Sequence, residues 1–188
     1  MPKQRITKEM VVDAAFALAR SGGLEQVMVK NIAGALHCSV QPLYSYCQNI
    51  HSLRQEVVDR ADAFVRRFAS QRVDPQNPFL TLGRAYLQLA QEEPHLFRIF
   101  IFQPRLGVSS LSELYDRSAT PGTAQSIAQA LGLSLEKARA LHMHMLIYTL
   151  GLGTLFAVTS PGIPSQEVFA QQDAAYQAFF KEISEEKS

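Results

Sequence analysis

Residues 30–53, KNIAGALHCSVQPLYSYCQNIHSL, decide the fold of this chain. They read as two short helices, a tight turn and the entry to a third helix. Ile32, Ala33 and Leu36 fall on one face of the first helix. Val40, Leu43, Tyr44 and Cys47 recur at helical spacing and form one face of the second. Ser39 is placed to cap that second helix, because a serine hydroxyl accepts from a free backbone N–H of the first turn. Pro42 is then the third helical residue, where a missing N–H removes no intrahelical bond. Helices this short bury too little surface to stand alone, so a further element must carry them. The opposite face of the second helix presents Gln41, Pro42, Ser45 and Tyr46, a small, uncharged surface.

The carrying element precedes the hairpin. Thr7 is placed as the N-cap of a helix with Glu9 in its first turn, an apolar stripe of Val11, Ala15, Leu18 and Ala19, and a stop at Gly22-Gly23. After the hairpin, Asn49 is placed to cap a helix over 50–71, with Leu53, Val57, Ala61, Phe64, Val65 and Phe68 along one side. This arrangement is a helix-turn-helix pattern, in which the second helix enters the DNA major groove.

The set Ile32-Ala33, Leu36, Ser39, Leu43-Tyr44, Tyr46, Asn49 and Leu53 resembles the DNA-binding domain of TetR-type transcriptional repressors, over roughly the first 55 residues. Three positions depart from that family's pattern. His37 stands where it usually has the glycine that ends the first hairpin helix in a left-handed conformation, Tyr46-Cys47 where it has His-Phe, and Ile50 where it often has a phosphate-touching lysine. The resemblance implies that Gln41, Ser45 and Tyr46 face base edges of double-stranded operator DNA. Lys30, Tyr44 and an arm carrying Lys3, Arg5 and Thr7 are then expected at phosphates, with Ser39, Val40 and Pro42 completing the DNA-facing set.

The chain has 188 residues, 47% apolar and 19% charged, the composition of an ordinary globular protein. A net charge of +1 means that a DNA binder must concentrate its positive residues, since affinity rests largely on phosphate neutralisation. Cys38 and Cys47 flank the second hairpin helix, too far apart to bridge, and read as free thiols. The polar N-terminus has no signal-peptide pattern, so a cytoplasmic protein is expected. The most apolar stretch, 141–158, is interrupted by His142, His144, Thr149 and Thr154, and reads as a buried helix rather than a membrane span. No catalytic constellation is visible. His142 and His144 are two apart and point to different sides of a helix, which is not metal-ligand spacing. Neither enzyme, cofactor nor metal is expected.

The rest of the chain reads as helices, which makes the expected class all-α. A turn-rich link, Asp74-Pro75-Gln76-Asn77-Pro78, is followed by helices over 79–93, 95–102, 109–117, 123–131 and 135–158, and by one over 165–183 capped by Ser165. Gly151 and Gly153 inside the long helix point to close approach by another helix. Residues 86–148 resemble the ligand-binding half of the same repressors. Gly83-Arg84-Ala85-Tyr86 and the Pro94-His95-Leu96-Phe97 element look like one subgroup of it.

That resemblance implies a helix-turn-helix domain over 1–52 and a ligand-binding and dimerisation domain over 53–188. A small, mostly apolar effector is expected among Tyr86, Phe97, Phe100, Phe102 and Leu106, with Tyr115, His142, Met145 and Tyr148 completing the pocket. In such proteins the last two helices pair with their twins in a homodimer. Ile147, Gly151, Thr154, Phe169, Tyr176 and Phe180 are expected near the centre of that interface. The rival reading is an all-α small-molecule carrier or enzyme whose hairpin is purely structural.

Overall fold

The computed structural model describes residues 6–46, 49–104, 106–159 and 162–185. All regular structure among them is helical. α1 spans Lys8–Gly22, α2 Val29–Ala35, α3 Ile50–Ser70, α4 Pro78–Glu92 and α5 Pro94–Ile101. α6 spans Leu111–Ser118, α7 Thr123–Leu131, α8 Leu135–Thr159 and α9 Ser165–Glu185.

Local chemistry explains most of the boundaries. Thr7 Oγ1 accepts from the Met10 N–H at 3.3 Å to open α1, and Gly23 ends it at φ 91°. Asn49 Oδ1 accepts from the His51 and Ser52 N–H groups at 3.0 and 3.3 Å to open α3. Prolines start α4 and α5, where a missing N–H is harmless. Ser134 Oγ accepts from the Lys137 N–H at 3.2 Å at the head of α8. Ser165 does not cap α9. It is the first helical residue, and its hydroxyl donates to Gln91 Oε1 at 2.9 Å, while the Pro164 carbonyl accepts from the Glu167 N–H.

The hairpin departs from expectation in its second helix. Residues Gln41–Leu43 form one 3₁₀ turn, and a further turn runs to Tyr46, joined by i to i−3 bonds from Leu43, Tyr44 and Tyr46. Pro42 donates no hydrogen bond, and so short a segment gains little from helical cooperativity. Val40 takes the cap position in place of Ser39. Of the four residues expected to share a buried face, Leu43 is buried, Val40 and Tyr44 are exposed, and Cys47 lies outside the described residues.

α2 ends in a Schellman motif. The Cys38 N–H donates to the Ala33 carbonyl and the His37 N–H to the Gly34 carbonyl, with His37 left-handed at φ 51°. His37 therefore holds the backbone conformation that glycine adopts most readily.

Three cores divide the described residues, the second and third interleaved along the chain. The first gathers Val11, Ala15, Ile32, Leu43, Leu53 and Val57, with Ile99 of α5 packed against it. The second holds Val65, Leu87, Phe97, Phe156 and Val168. The third holds Leu141, Met145, Tyr176 and Ile183. The handover from first core to second lies inside α3, between Val57 and Val65. α8 packs on α4, α5, α7 and α9. Among the described residues it is the one helix long and apolar enough to cross a membrane.

Candidate functional site

The hairpin surface is built around one anchor. Leu43 is fully buried, while Ser39, Val40, Gln41, Pro42, Tyr44, Ser45 and Tyr46 are all exposed. Ser45 Oγ donates to the Pro42 carbonyl at 3.0 Å, which tightens the turn. The Tyr46 hydroxyl donates to the Ile6 carbonyl at 3.1 Å. That bond ties Ile6 to the hairpin, and with the Ser45 hydroxyl also engaged it leaves Gln41 as the freest of the three expected base-facing side chains. Thr7 is engaged as the α1 cap. Lys3 and Arg5 lie outside the described residues.

Charge is concentrated here. Residues 1–54 carry six Lys or Arg and three Asp or Glu, in a chain whose net charge is +1. Lys8 and Arg60 are held by Glu56 and Asp13. Lys30, exposed in the first turn of α2, has no acidic partner among the described residues. Arg54 donates to the Val27 carbonyl at 3.2 Å.

One junction links this region to the rest. The Arg20 guanidinium grips both oxygens of Glu93 and lies 5.2 Å from the Phe64 ring centroid. α1, α3 and the joint between α4 and α5 therefore meet at a single ion pair.

The expected pocket residues do not all converge. Tyr86, His142 and Met145 come together and line a narrow chamber of about 50 Å³. Phe100 stacks behind Tyr86, centroids 5.8 Å apart. Tyr115 stands behind His142, its hydroxyl 2.7 Å from His142 Nδ1. Phe97 is a core residue: it is fully buried against α8, and a Cβ added at Gly153 would meet its Cζ at 2.6 Å. Phe102 and Leu106 are 62% and 83% exposed, because the chain leaves the core where α5 ends, and they line no part of the chamber. Tyr148 faces α9, its hydroxyl 3.4 Å from the Gln171 carbonyl and its ring edge-on to Phe179.

Sequence reasoning missed Phe79, Leu82, Gly83, Leu146, Thr149 and Gln172, which complete the chamber. One signal was present. Gln172 interrupts the inward stripe of α9 at four residues from Val168 and four from Tyr176, both buried. Phe79 and Leu82 also border a larger, partly open cavity of about 470 Å³, bounded by residues 73–78, the Pro121-Gly122 turn, α7 and Tyr176. Burial pushes the His142 imidazole down from 6.5 to about 4, so it is neutral at pH 7. A neutral imidazole carries one ring hydrogen, which sits on Nε2 in the tautomer where the Tyr115 hydroxyl donates to Nδ1.

The expected interface residues divide in the same way. Ile147 and Gly151 lie on an outward stripe of α8 that continues through Leu155 and Val158. Nothing lies within 4 Å of a Cβ built at Gly151, so the close approach inferred for both glycines holds within this chain only at Gly153. Thr154 is half-buried, its hydroxyl donating to the Leu150 carbonyl at 2.7 Å. Phe169 packs on the second core under Arg84. Tyr176 is buried and stacks on Phe180 at 5.8 Å in the third core. These three aromatic rings are engaged inside their own chain, because α9 turns that stripe toward α4 and α8.

No family model and no curated protein matches the chain.

Proposed function

We propose that this chain is a homodimeric, sequence-specific DNA-binding regulator, a repressor released from its operator by a small uncharged ligand. The observation that carries the reading is the hairpin surface. Seven exposed side chains surround the single buried anchor Leu43, beside a Lys30 with no acidic partner among the described residues, in the part of the chain with excess positive charge. A hairpin that only filled a core would bury more of these side chains. Gln41 can pair bidentately with adenine, a contact that discriminates by roughly 1–3 kcal/mol. Lys30 neutralises a phosphate and reads no base.

Dimerisation is supported by the outward stripe of α8. A helix apolar all round is normally buried on every side. Here Ile147, Leu155 and Val158 are 53–62% exposed, and Gly151 between them leaves room for a partner helix. A second copy in two-fold symmetry would cover that stripe and present two hairpins to two half-sites. The Arg20–Glu93 junction and Ile99 give the ligand-binding half a grip on the reading half. A ligand that prefers one setting of that junction shifts the spacing of the hairpins.

Fluorescence anisotropy with the DNA upstream of the chain's own reading frame tests the reading. Gln41→Ala relaxes preference at one position of each half-site, whereas Lys30→Ala weakens all sequences alike and flattens the salt dependence. Identical behaviour of the two variants across an operator library refutes the assignment. A monomer in analytical ultracentrifugation at micromolar concentration refutes the dimer.

A further inference from the structure

We propose that the chamber between α4, α8 and α9 binds an uncharged aromatic molecule through a carboxamide-type pair of hydrogen-bonding groups. Gln172 and His142 are the polar partners, and the cavity beyond Phe79 takes the ring system. The proposal rests on the ligand-controlled reading above and names the ligand's chemistry.

Gln172 carries the argument. It is 1% exposed and lines the chamber, yet its Oε1 has no hydrogen-bond partner. Its Nε2 reaches Thr149 Oγ1 at 3.4 Å. Turning the amide over only exchanges which of its two polar atoms is orphaned. An unsatisfied buried polar group is costly, so its retention calls for a compensating partner. Gly83 makes the placement possible, since a Cβ there would lie 2.0 Å from Gln172 Nε2.

His142 supplies the complement. His142 lines the chamber, and in the tautomer where the Tyr115 hydroxyl donates to Nδ1 its Nε2–H is the donor left for a ligand. A carboxamide offers an N–H to Gln172 and an oxygen to His142. About 50 Å³ admits such a small group but no ring, a water occupying about 30 Å³ of liquid. The 470 Å³ cavity that shares Phe79 and Leu82 has room for the ring. No Asp, Glu, Lys or Arg lines either space, so an ionised ligand would lose its hydration without gaining a counter-charge.

The test uses the full chain without DNA, with 2-naphthamide and 2-naphthoate as probes, in isothermal titration calorimetry. The amide binds about tenfold or more tightly than the carboxylate, and Gln172→Leu removes that preference. Thr149→Val, which keeps the side-chain shape, weakens the amide alone and serves if the leucine variant does not fold. In methyl-labelled protein the Met145 resonance, identified with Met145→Leu, shifts on adding the amide. Equal affinity for the two probes, no binding of either at millimolar concentration, an unchanged preference in the variants or a still Met145 signal overturns the proposal. Amide binding by a chain that binds no DNA sustains the site and refutes the regulator. DNA binding without amide binding does the reverse.

Discussion

Between Ser39 and Tyr46 the only fully buried side chain is Leu43, whereas along α8 buried residues recur on every turn from Ala138 to Ala157. The 39–46 segment thus presents most of its side chains outward and is seated by one buried side chain, Leu43, with the Tyr46–Ile6 bond beside it. α8 is held redundantly, by four other helices. Redundancy lets the second region tolerate internal irregularities: a neutral buried histidine, an orphaned amide oxygen and a glycine pressed by a phenyl ring. The hairpin has no such reserve, and its irregularities lie in the backbone, at Pro42 and at left-handed His37.

The largest effect expected from this contrast is at the anchor. Leu43→Ala destabilises by about 2–5 kcal/mol, the range for emptying a core leucine site. The loss is local, so hydrogen exchange accelerates in α2 and the 39–46 segment while α8 amides stay protected. Equal acceleration in both regions would break the comparison.

The next effect belongs to α8 and depends on pH. The unfolded chain protonates His142 near pH 6.5, and the folded chain refuses that proton until about pH 4. Stability from this group is therefore complete above pH 6.5, falls as the pH drops through that window, and levels off below about pH 4. The loss reaches at most about 3 kcal/mol. Denaturation midpoints of wild type and His142→Gln, measured from pH 7 to pH 4, should diverge in that direction. Parallel curves would mean that His142 protonates in place.

Two glycines on one helix sharpen the contrast further. Gly153→Ala drives a methyl group into the Phe97 ring and destabilises by about 1–3 kcal/mol. Gly151→Ala meets nothing within the chain and raises the stability of the isolated subunit by up to about 1 kcal/mol through helix propensity. Urea titrations of the two variants should move in opposite directions at concentrations low enough to keep subunits apart.

The smallest effect returns to the hairpin. His37→Gly relieves a left-handed conformation that disfavours side chains by roughly 1–2 kcal/mol, offset in part by glycine's greater freedom when unfolded. A net gain of about 1 kcal/mol in urea denaturation is expected, and a loss would show that the His37 side chain contributes contacts of its own.

Legibility followed the range of the interactions. The caps Thr7 and Asn49 and the glycine stop of α1 were readable because a cap satisfies backbone groups within one turn, whereas Pro78, read as part of the 74–78 link, is the first residue of α4. The all-α class and the stripe of α1 were readable for the same reason, as helical periodicity spans a few residues. Ser39 and Ser165 misled because a hydroxyl before a turn looks alike whether it caps or bonds elsewhere, and for Ser165 the competing acceptor, Gln91, comes from α4.

The sequence by itself determined the α-helices outside the second half of the hairpin, the hairpin's buried Leu43 and the uneven placement of positive charge. Only the tertiary structure decided which aromatics face a cavity. Phe97, Phe102 and Tyr86 have the same local signature, yet one fills the core, one lies in solvent and one lines the chamber. It also decided that Gly153 rather than Gly151 receives a neighbour, and that Gln172 stands opposite Gly83. The physical reason is that a cap or a stripe is closed by atoms a few residues apart, whereas a cavity is bounded by side chains from segments whose spacing along the chain carries no information about their distance in space.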